Sequence, residues 1–181
     1  MKSLATAGFM LIGGLAFAAH VGAAQSPRHL MKLAVLEVEL TGDLGGPQFE
    51  AEHEARLKMA SARLRDDLVH AGLYELVDLA PAHDTVEQLK SQYLYLHDCN
   101  GCDLAVGRQL GTDYVLIAWV NRVSGLILTL TYEIHEVASG QITVRKSFDF
   151  RGDNDAAWTH AIDYAVRDLK ESAADTNSHE R

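Results

Sequence analysis

Lys32-Leu-Ala-Val-Leu-Glu-Val-Glu-Leu40 begins as an unbroken apolar run and then alternates apolar with acidic residues. An apolar start suits a strand near the middle of a sheet, covered from both sides. If the strand stays regular, Glu37 and Glu39 share one side. Burying two like charges is costly, so both are expected at solvent or at the sheet end. From Glu52 to Ala71, Leu57, Ser61, Leu64, Leu68 and Ala71 recur at helical spacing, with Glu54, Lys58, Arg65 and Asp66 on the opposite side. Gly72 stops this helix. Leu73-Tyr-Glu-Leu-Val-Asp78 follows as a short strand, so the first third of the domain reads as strand–helix–strand.

Outward from this unit, Thr41-Gly-Asp-Leu-Gly-Gly-Pro47 is a loop by composition. Ala80-Pro81 breaks the chain before a short helix over Thr85 to Gln92, and Tyr93-Leu-Tyr-Leu96 fits either continued helix or an extended piece. Leu104, Ala105, Arg108 and Gln109 predict a compact helix ending before Gly111. Three strands follow, Asp113 to Val123, Leu126 to Val137 and Gln141 to Phe150, joined at Ser124-Gly125 and Ser139-Gly140. In the last, Ile142, Val144, Phe148 and Phe150 take one side, and Thr143, Arg145, Ser147 and Asp149 the other. Asp155 is expected to cap a final helix whose seam is Trp158, Ala161, Ile162, Ala165, Val166 and Leu169. The order β-α-β-α-α-β-β-β-α predicts an α/β (α+β) domain, a single mixed sheet of about five strands with helices on one face or both. Trp119 and Trp158 are both expected in its core.

Lys2, the apolar run Leu4 to Val21 and the small residues Val21-Gly-Ala-Ala24 have the layout of a secretory signal cleaved after Ala23 or Ala24. An uncleaved anchor is the rival reading, but Gly13, Gly14 and His20 dilute the run. The chain thus divides into a signal peptide (1–24), a polar tether (25–30), one α/β domain (31–172) and a disordered tail (173–181). Loss of the leader removes Lys2 and no acid, taking the formal charge from −9 to −10. Such a balance argues against nucleic acid, since phosphate binding needs clustered Lys and Arg. No apolar segment after the leader approaches spanning length, so the mature protein is expected to have no membrane span.

Cys99-Asn-Gly-Cys102 holds the only two cysteines. A structural disulfide is the first reading, because exported thiols normally oxidise and a turn brings this spacing to bonding distance. A thiol–disulfide redox site is the second, since Cys99 at a helix start would be favoured as thiolate, although the prolines, Pro27, Pro47 and Pro81, all lie upstream. A metal set of His97, Asp98, Cys99, Cys102 and Asp103 is the third, and it lacks the second pair that closed zinc sites use. Covalent haem attachment fails, because Asp103 stands where a histidine is required.

Other chemistry is sparse. Glu133 and His135 are same-face neighbours able to act as an acid–base pair or to form a polar outer face. Arg151-Gly-Asp153 spells an adhesion tripeptide, but Arg151-Gly-Asp-Asn-Asp155 also serves as a strand exit, turn and helix cap. Gly42, Gly45 and Gly46 lack phosphate-loop spacing, and no Gly-x-Ser-x-Gly elbow occurs. No catalytic residue and no cofactor is assigned.

Leu33-Ala-Val-Leu-Glu-Val-Glu39, an amphipathic helix and Gly72-Leu-Tyr-Glu-Leu-Val-Asp78 together resemble the opening of TolB amino-terminal and CsgG-like domains, which are exported envelope modules without an enzymatic site. Cys99-Asn-Gly-Cys102, Gly111-Thr-Asp-Tyr-Val115 and Arg151-Gly-Asp-Asn-Asp-Ala-Ala-Trp158 resemble a family of small secreted bacterial proteins of unknown function, DUF3280 or DUF2380, over nearly all of residues 31–170. The resemblance implies a periplasmic accessory or binding protein that contacts an envelope protein or a small ligand. The competing class is a periplasmic thiol–disulfide or metal-handling protein centred on Cys99 and Cys102.

Overall fold

The first apolar run forms two strands rather than one. β1 (Lys32–Val35) and β2 (Glu39–Gly42) both run parallel to β4 (Tyr114–Arg122), with Val35 opposite Leu116 but Glu39 opposite Trp119. One extra residue is therefore absorbed at Leu36–Val38, as in a bulge, and a one-residue slip moves every later side chain to the other face. Val38 and Leu40 consequently join Leu33 and Val35 in one core. Without the slip, Glu37 and Glu39 would enter that core instead, which is the physical reason for the break. The two glutamates do not share an environment: Glu37 is exposed, whereas Glu39 is half-buried.

The computed structural model describes residues 29–179, with side chains through Asp175. The leader 1–24 and residues 25–28 of the tether lie outside the described residues. With β3 (Glu75–Val77), β5 (Ile127–Glu136) and β6 (Ile142–Arg151), the sheet has six strands in the order β3-β1-β4-β5-β6, and β2 lies beside β4. β1 is parallel to β3 and β4, while β4, β5 and β6 are antiparallel. The sheet is mixed, and the break in the first strand raises the count from about five to six.

Helices cover both faces. Ala60, Leu64 and Leu68 of α1 (Glu50–Ala71) and Trp158, Ile162 and Leu169 of α4 (Asp155–His179) pack on Leu33, Leu116, Leu128 and Leu130. On the opposite face, α2 (His83–Gln92) and α3 (Cys102–Leu110) cover a smaller core of Ala34, Leu36, Val106, Val115 and Ile117. Gly107 lets α3 approach closely: a Cβ there would stand 2.4 Å from Val115 Cγ2 and 2.7 Å from Val137 Cγ2. α3 sits over β1 and β4, so Thr143, Arg145, Ser147 and Asp149 of β6 remain exposed on the same face.

Four further expectations are corrected. Ile142 pairs with His135 while Val144 pairs with Ile134, so a register shift places Ile142 on the α3 side rather than with Val144. Trp158 is buried, but Trp119 is only half-buried, because no helix covers its end of the sheet. The cap of α4 is Asn154, whose Oδ1 accepts the Ala157 N–H at 3.0 Å; Asp155 is the first helical residue. Finally, α4 runs through Ala173 to His179, where a polar tail was expected; Ala173-Ala174 favour helix, and extending an existing helix adds one bond per residue. α2 ends at Gln92 and Tyr93 is extended (φ −123°, ψ 132°). Among the described residues, no helix is long and apolar enough to cross a membrane.

Candidate functional site

The segment from Tyr93 to Gly101 is fastened to the sheet at three points. Glu39, aimed to this face by the bulge, accepts the Leu96 N–H at Oε1 (2.6 Å) and the His97 N–H at Oε2 (3.1 Å). His97 Nδ1 meets the same Oε2 at 2.5 Å, and the His97 ring covers the indole of Trp119. Cys99 and Cys102 then close the segment onto the start of α3, their sulfurs within bonding distance and their Cα atoms 5.6 Å apart. Gly101 between them has φ +90°, a left-handed turn that glycine accommodates without strain.

Beside this segment runs a line of charge. Asp103, buried in the first turn of α3, places Oδ2 2.6 Å from His135 Nδ1. Oδ2 is not aligned for a hydrogen bond, so the contact is an ion pair only when His135 is protonated, and the helix N-terminus adds to the stabilisation of the carboxylate. His135 Nε2 lies 2.8 Å from Glu133 Oε2, and Glu133 Oε1 lies 3.1 Å from Arg145 Nη1. His97, Cys99, Asp103 and His135 all border one recess of about 300 Å³. The five residues weighed as a metal set do not converge: the His97 ring faces Glu39 and Asp98, Asp103 faces His135, and the sulfurs are joined to each other. Among the described residues, no group of three or more His, Cys, Asp or Glu side chains is arranged to hold a metal ion.

A second polar cluster centres on Asp153, the acid of the Arg151-Gly-Asp153 tripeptide. Its Oδ1 accepts from Arg56 Nη1 (2.8 Å) and Trp158 Nε1 (3.1 Å), its Oδ2 accepts from Arg122 Nε (2.6 Å), and His53 Nε2 stands 3.4 Å away. Arg122 also donates to the carbonyl of Asp43, while Arg56 reaches Glu52 and Asp155. Burial alone would raise the Asp153 pKa, but the bonds from Arg122 and Trp158 and the charges of Arg56 and Arg122 outweigh it and hold the carboxyl below the usual carboxylate range. The acid is thus turned inward and consumed in joining α1, β4 and α4. The stretch does leave β6, turn at Gly152 and cap α4 through Asn154, but the hub at Asp153 is a role that the sequence reading does not contain.

Sequence reasoning paired Glu133 with His135 but missed Asp103 as the partner on the other side of the ring, because that contact spans two elements. It also missed Glu39 as a clamp. Arg56 and His53 left a usable signal: they precede Ala60 and Leu64 at helical spacing, so they fall on the buried stripe and demand partners.

The fold and its two polar clusters define a small α/β domain whose charged groups are spent largely on one another. The chain belongs to the family DUF3280, described as a protein of unknown function (DUF2380), whose model matches residues 31–169. No curated protein matches it in sequence. Similar solved structures include LpoB from E. coli determined by NMR, 16% identical, covering 80% of this chain and 82% of that one with a TM-score of 0.49. The LpoB C-terminal domain from Salmonella enterica is 18% identical over 66% of this chain and 81% of its own, with a TM-score of 0.48. TolB from Acinetobacter baumannii is 12% identical over 80% of this chain and 29% of its own, with a TM-score of 0.42. Likenesses of this degree carry no argument about activity or partners.

Proposed function

We propose that this is a non-catalytic accessory protein of the periplasm that acts by contacting another envelope protein or a small ligand. One observation carries the reading. Cys99, Cys102, His97, Asp103, Glu133 and His135, the side chains best suited to chemistry, are each joined to another group of the chain: His97 holds the 93–101 segment on β2, the sulfurs tie it to α3, and Asp103, His135 and Glu133 link α3 to β5. Groups engaged in this way rigidify a surface rather than await a substrate. The leader read from the sequence supports export, and export supports a closed Cys99–Cys102 pair.

The test is capture from intact cells. Tagged full-length chain, crosslinked in the periplasm and purified, is expected to bring down a reproducible stoichiometric partner. Absence of any partner, together with turnover of a substrate that disappears in Glu133→Gln, overturns the reading. A second reading has one specific observation in its favour: Cys102 is the first residue of α3, where the helix N-terminus favours thiolate. Redox titration separates the two. A pair that stays closed at the potential of strong periplasmic oxidants and resists reduction fits a clip, whereas a pair poised near those oxidants fits thiol–disulfide exchange.

A further inference from the structure

β2 is paired on one side only. It bonds to β4, and no described strand lies beyond its other edge, because β3 stops at Val77 opposite Ala34. The sheet therefore has a vacant position beside β2. The Asp43 N–H donates to the Arg122 carbonyl on the β4 side (2.8 Å), whereas the Val38 N–H donates to Ser61 Oγ of α1 (2.9 Å). Alternation along the strand turns the N–H and C=O of Leu40 away from β4 and toward the vacancy, whereas the Val38 N–H just before the strand is already taken by Ser61.

Two recesses adjoin this edge and share Leu40 and Leu57. One of about 490 Å³ reaches to α2 and includes Leu79, Val86 and Leu94; the other, about 570 Å³, reaches along the loop after β2 to Leu44 and Pro47. Leu94 is 86% exposed, and Leu44, Phe49 and Tyr93 are exposed as well. A concentration of uncovered apolar side chains beside an unpaired strand marks an interaction surface. Its charge is predominantly acidic: Glu37, Glu39, Glu50, Glu54 and Glu87 line the two recesses, where Glu39 is held by the 93–101 segment, Lys90 is shared between Glu37 and Glu87, and Lys58 pairs with Glu54 from beside them. The other two open edges differ: β3 is only three residues long, and on β6 Arg145, Lys146 and a register shift blunt the edge against pairing.

We infer that the vacant position beside β2 takes one extended segment of a partner protein, with leucine- or valine-type side chains alternating with lysine or arginine. The segment bonds to the main chain of Leu40, turns its apolar side chains to the face where Leu40 and Leu57 line both recesses, and turns its basic ones to the opposite face toward Glu37 and Glu87. α1 and α2 stand on opposite faces of the edge, which leaves room for a single strand rather than a second sheet. This assignment rests on the binding role proposed above and names where that role is carried out.

The probe is an acetylated seven-residue peptide alternating lysine with valine or leucine, titrated into the full chain by amide NMR. Saturable shifts are expected at Val38–Gly42, along α2 and at Leu94. N-methylation of the central peptide amide is expected to weaken binding about tenfold, the effect of one hydrogen bond lost. Leu94→Asp and Glu87→Lys, both at exposed positions, are expected to weaken it about threefold or more, the latter chiefly at low salt. Equal affinity of the N-methylated peptide, equal affinity of a peptide with glutamate for lysine, or shifts centred on β6 overturns the inference. So does a free chain that already dimerises through this edge and becomes monomeric on Leu94→Asp. If a captured periplasmic partner is retained undiminished by both variants, this site is wrong while the binding role stands; if the unmodified chain captures nothing, the role itself fails.

Discussion

The imidazole of His97 lies flat against the indole of Trp119, with centroids 4.4 Å apart and planes 9° from parallel. Glu39 holds that ring from the side and the backbone from beneath, so one carboxylate from β2 sets the position of the whole 93–101 segment.

Glu39→Ala leaves the Leu96 and His97 amides without their acceptor and releases the ring. The expected cost is about 1–3 kcal/mol in urea unfolding, the penalty for unmade buried hydrogen bonds. Hydrogen exchange at those two amides is expected to accelerate more than exchange in α1 or α4. Unchanged protection at Leu96 would show that the clamp is incidental.

Asp153→Asn leaves Arg56 and Arg122 buried without their shared anion. Breaking such a pair is expected to cost about 3–5 kcal/mol near neutral pH. The pH dependence has a definite sign. The native carboxyl titrates below its unfolded value of about 4, so its contribution is complete above that value and is lost as pH falls through the lower native pKa. The stability gap between wild type and Asp153→Asn is therefore constant from neutrality to about pH 5 and narrows below about pH 4. A gap that widens on acidification contradicts the assignment.

Gly107→Ala drives a methyl group into Val115 and Val137 at 2.4 and 2.7 Å. Helix propensity alone would make the change favourable, so overpacking and propensity predict opposite signs. The close approach wins, and a loss of about 1–3 kcal/mol is expected in thermal or urea unfolding. A stabilised variant would mean that α3 lies farther from the sheet.

Tyr132 carries a buried hydroxyl with no hydrogen-bond partner among the described residues. Burial pushes its phenol pKa upward, and the charge of Asp168 adds to the shift. Tyr132→Phe removes an unpaired polar group and keeps the ring, so stability is expected to stay level or rise by up to about 1 kcal/mol. A loss larger than that would reveal a bonded hydroxyl.

Long periodic elements were legible in the sequence and local irregularities were not. The seam of α4 and the alternation of β6 beyond Val144 follow directly from side-chain spacing, and both appear as read. The bulge at Leu36–Val38 and the register shift between Ile142 and Val144 each add one residue, which periodicity cannot register, yet each reverses which face the neighbouring side chains take. Periodicity therefore puts Glu39 at solvent or the sheet end, whereas it is the clamp on the 93–101 segment. The links from Asp103 to His135 and from Arg56 to Asp153 bridge residues 32 and 97 positions apart, so no local window contains both partners.

The Asp153 cluster has a kinetic consequence. It unites groups from Asp43, Arg56, Arg122 and Trp158, so it is complete only after the first helix, the hairpin strands and the last helix have converged. Contacts so distant along the chain form late, and interactions absent from the folding barrier act by slowing escape from the native state. Stopped-flow chevrons of Asp153→Asn should accordingly show a steep rise in unfolding rate with little change in refolding rate. The residue then governs how long the folded molecule endures, more than how readily it folds.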